Sequence, residues 1–345
     1  MKILLEAHHP GDIHFWKYPV RELVDRGHEV RMLGRDRDVM RQLLQAYDWI
    51  PYTIPRRRSA KNKLPLVEMI SRQWALRKEI FGFKPDVVAS LFGSYCQISY
   101  LLGCKNIIFT DSEFQHFNHR IAHPFAHEIH TPYCFYKDLG RKQVFYQGIH
   151  EMAFLSPARF KPDASVLEKQ HGLRPHDYIV VRLSAWNTLH DINQSGIGGQ
   201  IDRFIEEHEG QYGIVICAEE NALPPHLKRF AMQLPPEKFH DLLAYARFVL
   251  TEGASTASEA ACLGVPTVYI NSTEPRGYLQ MLESDWGLMR NFETPGPGFA
   301  CAREWLRQID EETLFRYKKI REELFAAHGD VVDYLVSVLL KAADN

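Results

Sequence analysis

Short apolar, β-type runs alternate with longer helical patterns from the first residue of this chain onward. The pattern predicts a strand at Lys2–Leu5, a loop through His8–Asp12, a helix that runs to Arg26 and is stopped by Gly27, and a second strand at Glu29–Leu33. Parallel strands need a crossover connection, which is usually a helix. This order therefore predicts an open α/β sheet built from βαβ units.

The alternation occurs in two series, separated by the polar, proline-containing stretch Leu155–Asp163. With 345 residues, the chain is long enough for two domains, each with a core of its own. The strands expected are Lys2–Leu5, Glu29–Leu33, Ile50–Ile54, Asp86–Ser90, Asn106–Thr110 and Glu128–Thr131, then Tyr178–Leu183, Gly213–Ala218, Phe248–Thr251 and Thr267–Asn271. We predict Rossmann-like domains over 1–155 and 164–345, the second ending in a helical tail, Ala302–Ala343. In two-domain α/β proteins such a tail can pack back across the cleft.

Charge and cysteine usage exclude several classes of protein. The chain has 41 basic and 43 acidic residues and no long basic tract, which does not indicate nucleic-acid binding. Six cysteines without a Cys-x-x-Cys pair indicate reduced thiols and a cytoplasmic protein. Met1–Glu6 is too short for a signal peptide, and Val331–Ala343 is interrupted by Asp333 and Lys341, so no transmembrane segment is predicted.

The strongest candidate for a ligand site is the segment Thr251–Pro266, where a predicted strand ends and a helix begins. The free N–H groups and the dipole of such a helix suit an anion such as a diphosphate. Ser255 and Thr256 add hydroxyl donors, and Glu259, one turn later, can accept hydrogen bonds from ribose hydroxyls. A capping box between one of these hydroxyls and Glu259 explains the same pattern without a ligand, and both interpretations stay open.

The loop Glu6–His14 follows the first predicted strand. It lacks the Gly-x-Gly-x-x-Gly pattern of dinucleotide-binding loops, which disfavours NAD. His14, at the start of the following helix, is a candidate for contact with a diphosphate or an acceptor. First-turn packing or capping is the alternative role for this histidine.

Two further loops carry candidate catalytic or binding groups. Arg182 offers a planar fork for phosphate, or pairs with a surface carboxylate, and His190 with Asp191 can form a polarised pair near a sugar. Asp111 and Glu113 follow another strand. One of these two carboxylates can act as a general base if burial raises its pKa, unless Asp111 is an N-cap and Glu113 a first-turn acid.

Three other polar clusters have simpler explanations. Histidines stand at positions 116, 119, 123, 127 and 130, but Pro124 breaks the helix that would align them on a metal. Asp36–Asp38 directly precedes a helical stretch, where N-capping accounts for it, so no metal is predicted. Arg56–Arg58, with Lys61 and Lys63, is typical of a basic solvated loop and suggests at most a peripheral contact with anionic lipid or a phosphorylated acceptor.

The turn Gly253-Ala254-Ser255-Thr256 and the run Ser258-Glu259-Ala260-Ala261-Cys262-Leu263-Gly264-Val265-Pro266 resemble the donor-nucleotide motif of GT-B fold proteins. Similar turns occur in UDP-N-acetylglucosamine 2-epimerases and in the N-acetylglucosaminyltransferases of cell-wall synthesis. The resemblance implies that Glu259 holds the ribose and that Gly253–Thr256 faces the diphosphate. The whole chain is similar to a prokaryotic GT-B-like family of unknown function in four further motifs: His9-Pro10-x3-His14-Phe15, Arg26-Gly27-His28-Glu29-Val30, Lys84-Pro85-Asp86 and Phe109-Thr110-Asp111-Ser112-Glu113.

The resemblance implies a GT-B fold, in which parallel sheets face a cleft between an acceptor-side first domain and a nucleotide-sugar-binding second domain. The leading hypothesis is a metal-independent glycosyltransferase of cell-envelope polysaccharide that uses a UDP-sugar donor, needs no cofactor, and acts on an unidentified acceptor. The catalytic candidates are His14, Asp111, Glu113 and His190. A UDP-sugar 2-epimerase, which uses the same donor site but removes a proton from the sugar ring, is an alternative. A non-catalytic nucleotide-sugar-binding protein is another.

Overall fold

The computed structural model describes residues 1–35, 39–54, 73, 76–94, 96–169, 172–183, 197–218 and 223–344. The chain forms two compact units. Unit 1 comprises Met1–Phe154 together with His328–Asn345, and unit 2 comprises Leu155–Ala327. Each unit is built around one parallel sheet, as the alternation of strand and helix patterns predicts.

Unit 1 contains a seven-stranded sheet in the order β3-β2-β1-β4-β5-β6-β7, with every pair of neighbours parallel. Its strands are β1 (Lys2–Glu6), β2 (Glu29–Leu33), β3 (Tyr52–Thr53), β4 (Val87–Ser90), β5 (Lys105–Phe109), β6 (Glu128–Pro132) and β7 (Gln143–Tyr146). Its helices are α1 (Pro10–Asp25), α2 (Met40–Ala46), α3 (76–83), α4 (Cys96–Leu101), α5 (His116–Ile121), α6 (Met152–Leu155) and α14 (Val331–Asp344).

Unit 2 contains a five-stranded parallel sheet in the order β12-β11-β10-β8-β9. Its strands are β8 (Tyr178–Arg182), β9 (Gly213–Cys217), β10 (Phe248–Thr251), β11 (Thr267–Ile270) and β12 (Met289–Phe292). Its helices are α7 (Val166–Lys169), α8 (Gly198–His208), α9 (Phe239–Ala244), α10 (Ala254–Cys262), α11 (Gly277–Ser284), α12 (Pro295–Gln308) and α13 (Glu311–Ala327).

Side chains from alternate positions of each strand form the cores on the two faces of the sheet of unit 2. Ile179 and Val181 of β8 pack with Phe204 of α8 and Phe299 of α12, all of them buried, on one face. On the other face, α10 packs against β10, β11, α9 and α11. Because α8 follows β8 and α10 follows β10, the connections leave these adjacent strands on opposite faces of the sheet.

The strand orders locate the points at which ligands bind in sheets of this type. In unit 2, the chain leaves β8 toward β9 and leaves β10 in the opposite direction, toward β11. The order in unit 1 reverses in the same way between β1 and β4. Crevices beyond the carboxyl ends of strands at such reversals are the usual ligand sites of open α/β sheets. We therefore expect a ligand site at the carboxyl ends of β8 and β10.

The helical tail differs from the sequence prediction, because its last helix belongs to unit 1 rather than to the second domain. It is divided into α12, α13 and α14, and α14 packs against α1, β4 and β5. The Tyr334 hydroxyl lies 2.7 Å from His130 Nδ1, and the Tyr334 ring stacks on Tyr146 at 5.2 Å between centroids. These buried contacts explain why the end of the chain groups with the first sheet.

We expect Gly264→Ala to destabilise unit 2 more than Gly287→Ala does. Both glycines have positive φ angles, 73° and 64°, which cost an L-residue about 1–2 kcal/mol. A Cβ at position 264 would stand 3.0 Å from the Tyr317 carbonyl oxygen and 3.2 Å from Lys318 Cα, whereas nothing lies within 4 Å at position 287. Urea unfolding measures the difference, which we expect to exceed about 1 kcal/mol. Equal destabilisation by the two substitutions would show that α13 moves away from the added Cβ without loss of stability.

Candidate functional site

Two hydrogen bonds fix the conformation of the turn between β10 and α10. Thr251 Oγ1 accepts from the backbone N–H of Gly253 at 2.9 Å, and Asn271 Nδ2 donates to the Glu252 carbonyl at 2.9 Å. Gly253 is the N-cap residue of α10, with an extended backbone conformation, and no side chain caps the helix. The first N–H groups of this nine-residue helix are therefore available to a ligand.

The capping box between Ser255 or Thr256 and Glu259 is not formed. Among the described residues, neither Ser255 nor Thr256 forms a side-chain hydrogen bond to the start of α10, and Ser258 Oγ instead donates to the carbonyls of Ala254 and Ser255 at 3.1 and 3.0 Å. The Glu259 side chain pairs elsewhere, since its Oε1 lies 3.3 Å from His240 Nε2. A helix N-terminus at the carboxyl edge of a sheet, left without a cap, is a ready anion site.

Arg182 lies next to this helix N-terminus. It ends β8, opposite Thr251 of β10 in the strand register, and its Cγ is 3.8 Å from the point where a Cβ of Gly253 would stand. Its Nη1 donates to the Cys217 carbonyl at 3.1 Å, which orients the guanidinium group. No carboxylate of the described residues forms an ion pair with Arg182, so the surface pairing considered as an alternative is not observed there. The structure thus brings Arg182 and the turn together at the point where the strand order reverses.

Glu259 completes this group of residues. It lies one turn beyond Ser255 and Thr256, on the same face of α10, and only 6% of the residue is exposed. Its partner His240, on α9, is 1% exposed and also contacts the ring of Phe160 at 6.2 Å. Sequence reasoning missed His240, because it lies in a segment without a motif. A buried carboxylate that is held by a histidine has the geometry to accept hydrogen bonds from two neighbouring hydroxyls.

Unit 1 carries a second group of polar residues, at the carboxyl ends of β5 and β7. Asp111 follows β5 and His150 follows β7, and the two side chains meet with His150 Nδ1 at 3.2 Å from Asp111 Oδ2. His150 is buried, and its other ring nitrogen, Nε2, makes no hydrogen bond to a described residue. A histidine oriented by a carboxylate through one nitrogen, with the other nitrogen available, is the arrangement of a general base.

Electrostatics favour the charged form of this histidine. Burial lowers the pKa of His150, but the carboxylate of Asp111, followed by those of Glu151 and Asp12, raises it, and the net result is a pKa above the ordinary value. The neighbouring carboxylates therefore favour the protonated ring, and histidine is the side chain most often used as a general acid or base. We call Asp111 and His150 the Asp111–His150 pair.

Two more carboxylates lie near this pair. Glu113 is fully buried and Glu151 is 5% exposed. Burial, together with the charges of Glu113, Asp111 and Glu151, raises the pKa of the Cys134 thiol to about 12. Burial and the charge of Asp111 also raise the pKa of the Tyr146 hydroxyl. The carboxyl ends of β5, β6 and β7 thus bring together carboxyl, thiol and imidazole groups that can exchange protons.

A third set of acidic and imidazole groups lies at the end of β1. Asp12 Oδ2 accepts from the backbone N–H groups of His8 and His9 at 2.7 and 3.2 Å, and His8 pairs with Glu6. Burial raises the pKa of Asp12 to about 6, although these hydrogen bonds oppose the shift. These contacts fix the start of α1, so that Asp12 acts as a helix-capping group.

The remaining sequence candidates fall in different places. His14 is buried in α1, stacked on Phe154 at 5.6 Å and edge-on to Tyr47 at 5.9 Å between ring centroids, which are the contacts of a packing residue. A contact between His14 and a diphosphate stays a prediction. His190 lies outside the described residues, as do the clusters at Asp36–Asp38 and Arg56–Arg58.

The metal prediction can be compared only with the part of the chain that the structure describes. There, no three histidine, cysteine or acidic side chains come close enough to hold a metal ion. Two histidines of the run have other partners: His127 accepts from the backbone N–H of Asn106 at 3.0 Å, and His130 pairs with Glu128 at 2.9 Å. Within the same residues, no helix combines the length and apolar composition that a membrane span requires.

Comparison with solved structures finds this fold over the full length of known chains. UDP-GlcNAc 2-epimerase from Neisseria meningitidis, bound to UDP-GlcNAc, is 13% identical with a TM-score of 0.66, covering 99% of this chain and 100% of that one. A putative UDP-N-acetylglucosamine 2-epimerase from Listeria monocytogenes is 12% identical with a TM-score of 0.69, covering 100% and 96%. Glycosyltransferase SsfS6 from Streptomyces sp. SF2575, complexed with thymidine diphosphate, is 12% identical with a TM-score of 0.60, covering 99% of both chains.

No protein-family model matches the sequence, and no curated protein matches it significantly. At these identities the structural similarity establishes the fold. The chain has the GT-B architecture of two Rossmann-like domains with a helical C-terminus, which confirms the fold predicted from the donor motif.

Proposed function

We propose that this protein is a nucleotide-sugar enzyme that binds a UDP-sugar at the carboxyl ends of β8 and β10 and transfers the sugar to an acceptor hydroxyl. The observation that carries the proposal is the uncapped N-terminus of α10 beside Arg182, at the reversal of strand order in unit 2. Two proteins that share the fold were solved with such ligands, one with UDP-GlcNAc and one with thymidine diphosphate.

In this proposal each part of the donor has its own partner. The diphosphate binds the free N–H groups of Gly253–Thr256 and the guanidinium of Arg182, which supplies a bidentate, permanently charged contact. Glu259 accepts hydrogen bonds from the ribose hydroxyls, while His240 keeps its carboxylate in place.

Transfer would proceed by displacement at the anomeric carbon. The acceptor oxygen forms a bond to that carbon, the bond from the carbon to the diphosphate oxygen breaks, and UDP leaves with the electron pair. We assign the acceptor proton to His150 Nε2, with Asp111 stabilising the imidazolium that results. The helix dipole and Arg182 stabilise the charge that develops on the diphosphate, which is the role a cation plays elsewhere. We therefore propose a reaction that needs neither metal nor cofactor.

A UDP-sugar 2-epimerase is a second candidate, favoured by the two buried carboxylates, Glu113 and Glu151, next to the Asp111–His150 pair. Epimerisation needs one group to remove the proton from a sugar carbon and another to return a proton on the opposite face. Several proton-exchanging groups that lie close together suit this requirement. Incubation with UDP-GlcNAc alone, followed by NMR, separates the two: conversion without an acceptor identifies an epimerase. If the sugar binds but is unchanged, acceptors are screened, and transfer to one of them identifies a transferase. A protein that binds the nucleotide sugar but gives no product with any acceptor is a nucleotide-sugar-binding protein.

We expect Arg182→Gln to weaken UDP binding by about tenfold or more, the loss of one charge-assisted contact. The matched control is Arg174→Gln, which removes an exposed arginine ahead of β8, near the opposite end of the strand. Isothermal titration with UDP measures both variants, and the thermal midpoints of the unliganded proteins show whether either has lost structure. Equal UDP affinity in the two variants would remove Arg182 from the proposed site.

A further inference from the structure

A cavity of about 610 Å³ opens on unit 1, between α5 with the 3₁₀ turn His123–Phe125 on one side and the β6–β7 connection on the other. Its floor includes Ile129 of β6. The next residue, His130, points to the opposite face of the sheet, where it contacts Tyr334 of α14. The cavity therefore lies on the face of the sheet away from α14. A volume of this size is within the range of small-molecule sites, about 300–1,000 Å³.

The cavity lining carries three positively charged side chains, Arg120, Arg141 and Lys142, and three histidines, His116, His119 and His123. Among the described residues that line it, Asp138 is the single acidic one, and its Oδ1 accepts from the backbone N–H of Gly140 at 2.7 Å. Lys137 adds a further positive charge, with its Nζ 3.4 Å from His116 Nε2. The charge of the lining therefore selects for an anion.

The donors in the cavity are divided between structural and available groups. Lys142 Nζ donates to the carbonyls of Pro124 and Ala126 at 2.8 and 2.6 Å, so it links the two sides of the cavity. Arg120 and Arg141 form no hydrogen bond or ion pair with any described residue, and both guanidinium groups are exposed. His119 Nε2 is buried and likewise has no hydrogen-bond partner within the described part of the chain.

The positive charges in the cavity also act on its imidazoles. Burial, together with the neighbouring His119 and Lys142, lowers the pKa of His123 to about 4. Burial lowers the pKa of His119 as well, and the charges of His116 and Lys137 act in the same direction, against a hydrogen bond to the backbone of Ser112. The rings of His119 and His123 stack at 4.6 Å. Burial, aided by the nearby positive charges, thus favours the neutral form of both imidazoles, and a bound anion would oppose the effect of those charges.

We propose that this cavity is a binding site for the phosphate group of a small phosphorylated ligand. Arg120 and Arg141 would bind the phosphate oxygens as planar forks, His119 Nε2 would donate to the phosphate after taking up a proton, and Ile129 and Leu139 would pack against the apolar part of the ligand. The site shares no residue with the proposed nucleotide site and belongs to the other unit. Each proposal can therefore be tested independently of the other.

The test is isothermal titration of the full-length protein with phenyl phosphate, which joins a phosphate to an apolar ring. Phenol is the uncharged match, and benzoate tests a carboxylate in place of the phosphate. We expect Arg120→Gln combined with Arg141→Gln to lower the affinity for phenyl phosphate at least tenfold. The control combines Arg174→Gln with Arg316→Gln, which removes the same charge from exposed positions of unit 2 and should leave the affinity unchanged.

NMR of the imidazoles provides a readout at the site itself, with resonances assigned through His119→Asn and His123→Asn. We expect phenyl phosphate to shift both resonances toward the protonated form. Three results would overturn the proposal: no binding at millimolar phenyl phosphate, equal loss in the control variant, or loss on Arg182→Gln, which would place the anion in unit 2. Binding of benzoate as tight as that of phenyl phosphate would overturn the assignment to phosphate.

Discussion

We expect the His150→Asn variant to turn over about 10²–10⁴ times more slowly than the wild-type protein, while its UDP affinity is unchanged. The reason is geometric. His150 Nε2 is the nitrogen left available when Nδ1 pairs with Asp111, and no amide can accept a proton in its place. Single-turnover measurements with the donor and acceptor that the NMR assay identifies would measure the loss.

The matched control is His130→Asn, which removes another buried histidine of unit 1 that is paired with a carboxylate, Glu128. Both variants lose a buried histidine that pairs with a carboxylate, so both should lose some stability, but only His150→Asn should lose turnover. Similar turnover in the two variants would show that the Asp111–His150 pair is structural.

The pH dependence gives a second readout of the same pair. Because Asp111 raises the pKa of His150 above its ordinary value, kcat/KM should rise with pH as the free enzyme loses the proton on His150. Asp111→Asn removes the carboxylate that raises this pKa and leaves the burial that lowers it, so the inflection should move to lower pH. A residue that only positions the loop would leave the inflection where it is.

The second large effect expected is on nucleotide affinity. Glu259→Ala should weaken UDP binding by about 10–100-fold, because the carboxylate makes charge-assisted hydrogen bonds to the ribose in the proposed complex. Comparison with 2′-deoxy-UDP isolates the contact. The wild-type protein should prefer UDP to the deoxynucleotide, and the variant should have lost that preference.

Glu283→Ala controls for the loss of a carboxylate in unit 2. Glu283 accepts from the backbone N–H of Asn291 at 3.1 Å and from its Nδ2 at 2.7 Å, so its removal disturbs packing without touching the proposed site. It should leave the preference for UDP over 2′-deoxy-UDP intact. A preference that survives in Glu259→Ala would contradict the ribose assignment.

Much of the fold follows from local sequence patterns. The strands expected in both series agree with β1–β6 and β8–β11 to within two or three residues at their ends. The edge strands β7 and β12 were missed. Val144 and Phe145 of β7 are exposed, and β12 is only partly buried, so neither strand has the continuous apolar pattern of a central parallel strand.

In the site, residues within local motifs could be predicted from the sequence, whereas residues brought together from distant parts of the chain could not. The turn at Gly253–Thr256 is a local motif, and Asp111 and Glu113 stand out because they follow a clear strand. His150 and Glu151 were missed, since they follow the edge strand β7 and since the partner of His150 lies 39 positions earlier in the chain. The prediction placed the whole tail in the second domain, whereas its last helix, α14, groups with unit 1 through contacts between distant residues, such as Tyr334 with His130.

The most direct test of the account is a thermal-shift panel with UDP, UDP-GlcNAc, thymidine diphosphate, GDP, CMP and NAD. A ligand that binds the folded state raises the melting temperature in proportion to its saturation. The account predicts that UDP and UDP-GlcNAc stabilise the wild-type protein, that NAD does not, and that the stabilisation is reduced in Arg182→Gln and Glu259→Ala. If no nucleotide moves the melting temperature, the carboxyl ends of β8 and β10 are not a donor site, and the proposed function is wrong.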